Sequence, residues 1–209
     1  MTWTDPVTLS QSFDTNDIPT EGNFDSLFNN LLALLHPYDA ALADVDVANT
    51  VTETSLWSKV IAANDLGANG WAYLRVDGDV LSNAAGSVIL RVKFGGVTHI
   101  VSNSFPPTTQ NSATRQPWRI DLRLCNRAAT NSQLLIAEYI CSQPGATTGL
   151  GQIGTTQSVG TALTIGILHN TGAIDTTVAQ TFDLTVQWSA ASVNSSFRKR
   201  VAVLLLGQN

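Results

Sequence analysis

Pro117-Trp-Arg-Ile-Asp-Leu-Arg-Leu-Cys125 alternates without a fault: Trp118, Ile120, Leu122 and Leu124 fall on one side, Arg119, Asp121, Arg123 and Cys125 on the other. Successive side chains of an extended chain point to opposite faces, so the pattern predicts a strand with one face in a core and the other turned outward. A helix would scatter the four apolar residues around its circumference.

The same period recurs on both sides of this stretch. Val88, Leu90, Val92 and Phe94 alternate with Ile89, Arg91 and Lys93, and Gly95-Gly96 then marks a hairpin turn into residues 97–102. Phe182, Leu184, Val186 and Trp188 give another alternating strand, and residues 197–206 close the series. Val201-Ala-Val-Leu-Leu-Leu206 is apolar enough to require a place inside a sheet or at an interface. Residues 51–61, 71–80 and 155–168 supply further strands, while Asp77-Gly78-Asp79 reads either as a tight turn or as a bulge. Residues 133–141 are more continuously apolar, which predicts a strand covered on both faces, and residues 105–117 read as a long polar loop. Eight or nine such strands predict an all-β fold, an antiparallel two-sheet β-sandwich of jelly-roll type over residues 51–209.

Helix is offered only ahead of this body. Residues 1–22 read as an extended N-terminal arm with Trp3, Phe13 and Ile18 as apolar anchors. Phe24, Leu27, Phe28, Leu31, Leu32, Leu34 and Leu35 then follow the i, i+3, i+4, i+7 spacing of one amphipathic α-helix over residues 23–35, stopped by Pro37. A helix this short is marginal in water, so its stripe must be buried, either on its own domain or, as we favour, on a sister subunit or host structure. Residues 38–50 read as a linker with one more helical turn, giving an attachment and oligomerisation segment over residues 1–50.

Charged residues make up 13% of the chain, about half the usual share, so its surface is polar but weakly charged, which fits equally a surface covered by neighbours and strands that simply favour Thr and Ser. The net charge of −5 argues against nucleic acid as the main partner. The only basic cluster, Arg198-Lys199-Arg200, reads as the solvated start of the last strand, with an acidic neighbour as its functional contact. No apolar run is long enough for a membrane span and no signal peptide is read, so we expect a protein made in the cytoplasm.

The residue types that carry chemistry stand in patterns that structural roles explain. Gly149-Leu-Gly-Gln-Ile-Gly154 matches a dinucleotide fingerprint, yet Pro144-Gly precedes it and poor helix material follows, so we expect no cofactor. Cys125 and Cys141 should lie at opposite ends of a hairpin as free thiols. His36, His99 and His169 stand in unrelated contexts, and no G-x-S-x-G is present, so no catalytic residue and no enzyme activity is expected. Asp44 with Asp46, or Asp77 with Asp79, could contribute to a calcium site, but turn or solvent-facing carboxylates explain them better and no metal is expected. Trp71 and Tyr73 share a parity opposite to Ala72, Leu74 and Val76, which marks an exposed aromatic pair suited to a subunit interface before a glycan.

As an ordered set, several segments resemble virion structural proteins of tailed bacteriophages: Met1-Thr-Trp-Thr-Asp-Pro6, Phe24-Asp-Ser-Leu-Phe-Asn-Asn-Leu-Leu-Ala-Leu34, Ala63-Asn-Asp-Leu-Gly-Ala-Asn-Gly-Trp71, Leu90-Arg-Val-Lys-Phe-Gly-Gly96, Pro117-Trp-Arg-Ile-Asp-Leu-Arg-Leu124 and Ile174-Asp-Thr-Thr-Val-Ala-Gln-Thr-Phe-Asp-Leu-Thr-Val186. The resemblance implies a short attachment segment ahead of a β-sandwich that assembles as a homotrimer. It further implies a non-enzymatic virion component, a head decoration, cement or head-fibre protein or a tail-associated one, with the major capsid protein or another virion protein as partner. We expect a place on the capsid surface, with Trp3, Phe13, Phe24, Leu27, Phe28, Leu31 and Leu35 as anchor or oligomer contacts. The alternative is a receptor- or glycan-binding tail module using Trp71, Tyr73 and residues 105–117.

Overall fold

A computed structural model describes residues 37–82, 86–102, 112–142 and 163–207. The expected helix over 23–35, the anchor residues before it, and the glycine-rich segment 149–154 lie outside the described residues.

The described chain is all-β, with no helix. In order it forms β1 (Asp39–Ala41), β2 (Val45–Ala48), β3 (Thr54–Ile61), β4 (Trp71–Ser82), β5 (Val88–Phe94), β6 (Val97–Val101), β7 (Ser112–Asn126), β8 (Gln133–Ser142), β9 (Leu163–Gly172), β10 (Gln180–Trp188) and β11 (Ser195–Gly207). They make two antiparallel sheets. The larger runs β1-β11-β4-β7-β8-β9, with β2 beside β1 on the same side of β11, and the smaller runs β3-β10-β5-β6.

Each alternating run turns its apolar parity into one shared core. Trp118, Ile120, Leu122 and Leu124 of the larger sheet are buried, as are Val88, Leu90, Val92 and Phe94 of the smaller. Phe182 stands edge-on between Trp57 (5.8 Å) and Phe94 (6.0 Å), while Trp118 stacks on Phe197 at 4.6 Å. Polar bonds also tie the sheets together. Trp188 Nε1 of the smaller sheet donates to the Val47 carbonyl of the larger (3.0 Å), and the Asp39 carboxylate of β1 accepts from Trp57 Nε1 (3.0 Å) and Lys59 Nζ (2.9 Å) of β3.

One end of the body is closed by a buried amide network. Gln133 Nε2 donates to Asn126 Oδ1 (2.8 Å) and to the Ile174 carbonyl (3.0 Å), and its Oε1 accepts from the Ile174 amide (2.7 Å). Asn126 Nδ2 passes the chain on to Thr176 Oγ1 at 2.9 Å. Every member is paired, which is what makes a polar cluster tolerable at this depth.

Several expectations are corrected. Residues 38–50 are no linker: β1 and β2 pair with β11, so the strand body starts before residue 51. They are three and four residues long, too short for a period to show. Asp77-Gly78-Asp79 neither turns nor bulges, because β4 runs through it and the extra residue, Arg200, lies on the partner strand. Gly78 is there because a Cβ would stand 2.0 Å from the Arg198 carbonyl oxygen and 2.5 Å from the Trp118 ring. Residues 112–117 belong to β7 and not to a loop; Pro117 fits because it falls one residue beyond the β7–β8 ladder. Strand β8 is not covered on both faces, since Leu134, Ile136, Glu138 and Ile140 are only half-buried between fully buried neighbours. The 155–168 strand becomes β9, beginning at Leu163 and ending at Gly172.

Candidate interaction face

The outward face of the larger sheet is built in columns set by its register. Along β4 run Trp71, Tyr73, Arg75 and Asp77, and opposite them on β7 stand Cys125, Arg123, Asp121 and Arg119. Four of the five charges in these two central columns pair with one another. Arg75 Nε lies 2.9 Å from Asp121, Tyr73 donates its hydroxyl to the same carboxylate, and Arg119 Nε lies 2.7 Å from Asp77. Burial pushes the Asp121 carboxyl up, but the Arg75 and Tyr73 hydrogen bonds and the Arg75 charge outweigh it and hold it below its usual range. The Tyr73 phenol is pushed up by burial and by its bond to Asp121.

On either side the columns turn apolar. Leu134, Ile136 and Ile140 of β8, with Glu138 between the two isoleucines, lie beyond β7, and Val201, Val203 and Leu205 of β11 lie beyond β4. All six apolar side chains are half-buried or exposed. A sheet face turned to water normally alternates to polar residues, so these six side chains leave apolar surface open beside the centre.

Trp71 sits at one end of this face, 38% exposed. A Cβ on Gly207 would come within 2.2 Å of its indole, so the ring lies flat over the glycine and is held there by the absence of a side chain. Beside it a shallow depression of about 360 Å³ is lined by Trp71, Ala72, Tyr73, Arg123 and Cys125. The sequence pair Trp71 and Tyr73 is thus brought together on the outward face, Trp71 as an open ring and Tyr73 as a bonded one.

At the other end of β4 the charges close into a ring that the sequence reading missed. Asp44, Arg200, Asp79, Arg115, Asp46 and Arg198 alternate around it, with Arg200 at 2.6 Å from both Asp44 and Asp79, Arg198 at 2.9 Å from Asp46, and the longest link 3.9 Å. The solvated reading of Arg198-Lys199-Arg200 is therefore corrected. The acidic neighbours of the two arginines belong to the same chain, and Lys199 is buried with Nζ donating to the Ala43 carbonyl at 2.6 Å. Of the paired aspartates considered for calcium, Asp44, Asp46 and Asp79 serve these arginines and Asp77 serves Arg119, and no metal-binding cluster of His, Cys, Asp or Glu occurs among the described residues. The available signal was the two-residue spacing of Asp44 with Asp46 and of Arg198 with Arg200.

The remaining sequence candidates stay apart. His99 is buried on β6, His169 is exposed on β9, and His36 lies outside the described residues. Cys141 lies opposite Trp118 in the ladder and points inward, while Cys125 pairs with Leu134 and points outward; both are free thiols. Burial pushes the Cys141 thiol up to about 11.

Comparison with known proteins adds no relative: no protein-family model, curated protein or solved structure matches the chain.

Proposed function

We propose that this chain is a non-enzymatic structural protein of a tailed-bacteriophage virion, a homotrimer that decorates, cements or projects from the capsid surface and docks through residues 1–36. The observation that carries the reading is the outward face of the larger sheet. Its six flanking apolar side chains are half-buried or exposed in one chain, and covering them would contribute about 1 kcal/mol each, because part of each is already out of water. Four of the central charges, Arg75 with Asp121 and Arg119 with Asp77, are already paired within the chain and so add little barrier to a covering subunit.

We further read the body as a jelly roll. With β1 and the β8–β9 hairpin set aside, the ladders nest as β2 with β11, β3 with β10, β4 with β7 and β5 with β6. One long hairpin rolled into two sheets produces that nesting, an architecture used in viral capsids and in lectins alike.

The test is the mass of the full chain in solution and its uptake into particles. Three times the 22.3 kDa chain mass is expected, together with a truncation lacking residues 1–36 that stays folded but is not incorporated. A full-length chain that is monomeric at micromolar concentration, or a truncation taken up normally, overturns the reading.

The open ring of Trp71 supports a second reading, a tail-associated receptor- or glycan-binding module. A flat ring seated on Gly207 beside Arg123, which has no ion-pair partner among the described residues, is a stacking platform for a sugar. Glycan-array binding that is lost on Trp71→Ala would favour it.

A further inference from the structure

The register lays the outward face of the larger sheet out in rows that cross its strands. Read from β11 through β4, β7 and β8 to β9, one row is Leu205, Tyr73, Arg123, Ile136 and His169, and the next is Val203, Arg75, Asp121, Glu138 and Ile167. Arg123 and Glu138 are therefore diagonal neighbours on adjacent strands.

Neither finds a partner there. Glu138 is half-buried directly opposite Asp121, a like charge at a Cβ separation of about 5 Å. Ile136 and Ile140 flank it on its own strand, and Ile167, 66% exposed, lies opposite it on β9. Asp121 is served by Arg75, and Arg119, also diagonal to Glu138, is held by Asp77 at 2.7 Å. Arg123 is exposed and forms no ion pair with Glu138. Together with Arg127 in the loop after β7, these two are the charged side chains without a hydrogen bond or ion pair among the described residues. A half-buried carboxylate among isoleucines is costly without a cation.

The two charges left over are of opposite sign. In these columns Arg75, Arg119 and Arg123 balance Asp77, Asp121 and Glu138, so the face is neutral as a whole. An anionic partner would answer Arg123 and oppose Glu138, and a cationic one would do the reverse. A second copy of the face answers both.

We propose that this face meets the same face of a neighbouring copy, with Arg123 of each chain paired to Glu138 of the next; the inference rests on the homo-oligomeric reading above. In a three-membered ring every copy gives one arginine and receives one, so no charge of the face is left over. Because the two residues are diagonal neighbours, this part of the face lies beside the ring's axis. Ile136, Ile140 and Ile167 are covered along with the pair, and the exclusion of water strengthens it. The pair also fixes the register of the copies, which apolar columns alone leave loose.

Charge reversal in the full-length chain tests this, read as mass in solution at low salt beside the Tm of each variant. Arg123→Glu alone and Glu138→Arg alone set like charges together at every contact. Each should run as the 22.3 kDa chain where the parent is assembled, a weakening of at least about a hundredfold. An equimolar mixture of the two variants should regain part of the assembly, because unlike chains then offer each other opposite charges; a pair confined to one chain gives no such recovery. Recovery is partial because a three-membered ring of two variants keeps one like-charged contact. Arg127→Glu should leave the mass unchanged. Arg123→Gln and Glu138→Gln, which add no charge to the sheet, should each weaken assembly about tenfold, and together no more than either alone. A monomeric parent overturns this inference and the oligomeric reading together. The pairing alone is overturned, with the oligomeric reading left standing, by a parent oligomer that keeps its mass with either charge reversed, a mixture no larger than its components, an Arg127→Glu variant that dissociates equally, or glutamine effects that multiply.

Discussion

Gly78→Ala is the most exacting test of how β4 is seated. The added methyl would stand 2.0 Å from the Arg198 carbonyl oxygen and 2.5 and 2.6 Å from two atoms of the Trp118 ring, where ordinary contact begins near 3.4 Å. To relieve the first clash, β4 must leave β11 by more than ~1 Å, which stretches the flanking ladder bonds past hydrogen-bond range at about 0.5–1.5 kcal/mol each. Moving Trp118 off Phe197, on which it stacks at 4.6 Å, adds about 1–3 kcal/mol of strain and lost packing. The sum is roughly 3–5 kcal/mol, or on the order of 10 °C in Tm for a body of this size. Urea unfolding followed by tryptophan fluorescence should show a lower midpoint with an unchanged slope. Adding Trp118→Leu should recover less than half of the loss, because the carbonyl belongs to the backbone and cannot swing away. Stability within ~1 kcal/mol of the parent would mean that Gly78 sits in a turn and that β4 does not run on to Ser82.

Other perturbations probe the core, the face and the charges. Gln133→Leu should cost about 3 kcal/mol, because the Ile174 amide and Asn126 lose buried partners; chemical denaturation measures it, with the half-exposed Gln187→Leu as a mild control. Trp71→Ala should weaken self-association about tenfold in sedimentation equilibrium while barely moving Tm, since the ring stands on the surface. In the native protein a thiol reagent should modify Cys125 and reach Cys141 only after unfolding, because burial both covers that thiol and pushes it up to about 11. The Asp46 carboxyl is pushed up by burial, but bonds from Ser196 and Arg198 and the charges of Arg198 and Arg115 hold it below its usual value. A depressed folded value means that its stabilisation is present above the ordinary carboxylate range and is lost as pH falls through the folded value. Asp46→Asn should therefore flatten the stability profile below about pH 4, with a small amplitude because the group is partly solvated.

The strands with strong alternation were legible because one physical cause, a buried face opposite a wet one, writes itself directly into the order of residues. Trp118 to Leu124 and Val88 to Phe94 follow it residue for residue. The failures have different causes. β1 and β2 are held by pairing with β11 and by the Asp39 bonds to Trp57 and Lys59, contacts with residues far along the chain that leave no local period. Gly78 imitates a turn signal because a glycine required by a neighbouring strand and a glycine required by positive φ are the same letter. Of the candidate face, the parity of Trp71 and Tyr73 was readable, but the seat of Trp71 on Gly207 was not, since it joins residues from opposite ends of the body.

The scarcity of charge gains a sharper meaning from where the charges lie. A low charged fraction admits two explanations: strands that simply favour Thr and Ser, or a surface adapted to contact. If the first held, the few charges would be spread over wet faces to keep molecules apart. Instead, three arginines and three aspartates close one ring, and Arg75 with Asp121 and Arg119 with Asp77 neutralise the centre of the widest face. Charges consumed inside the chain do little to repel a second copy, which leaves Glu138 and Arg123 as the charges of this face without an ion-pair partner among the described residues. Replacing Ile136 by Lys puts an unpaired cation into the middle of that face. It should dissociate the oligomer in a salt-dependent way while leaving the monomer's stability nearly unchanged, and an oligomer indifferent to Ile136→Lys would show that this face meets only water.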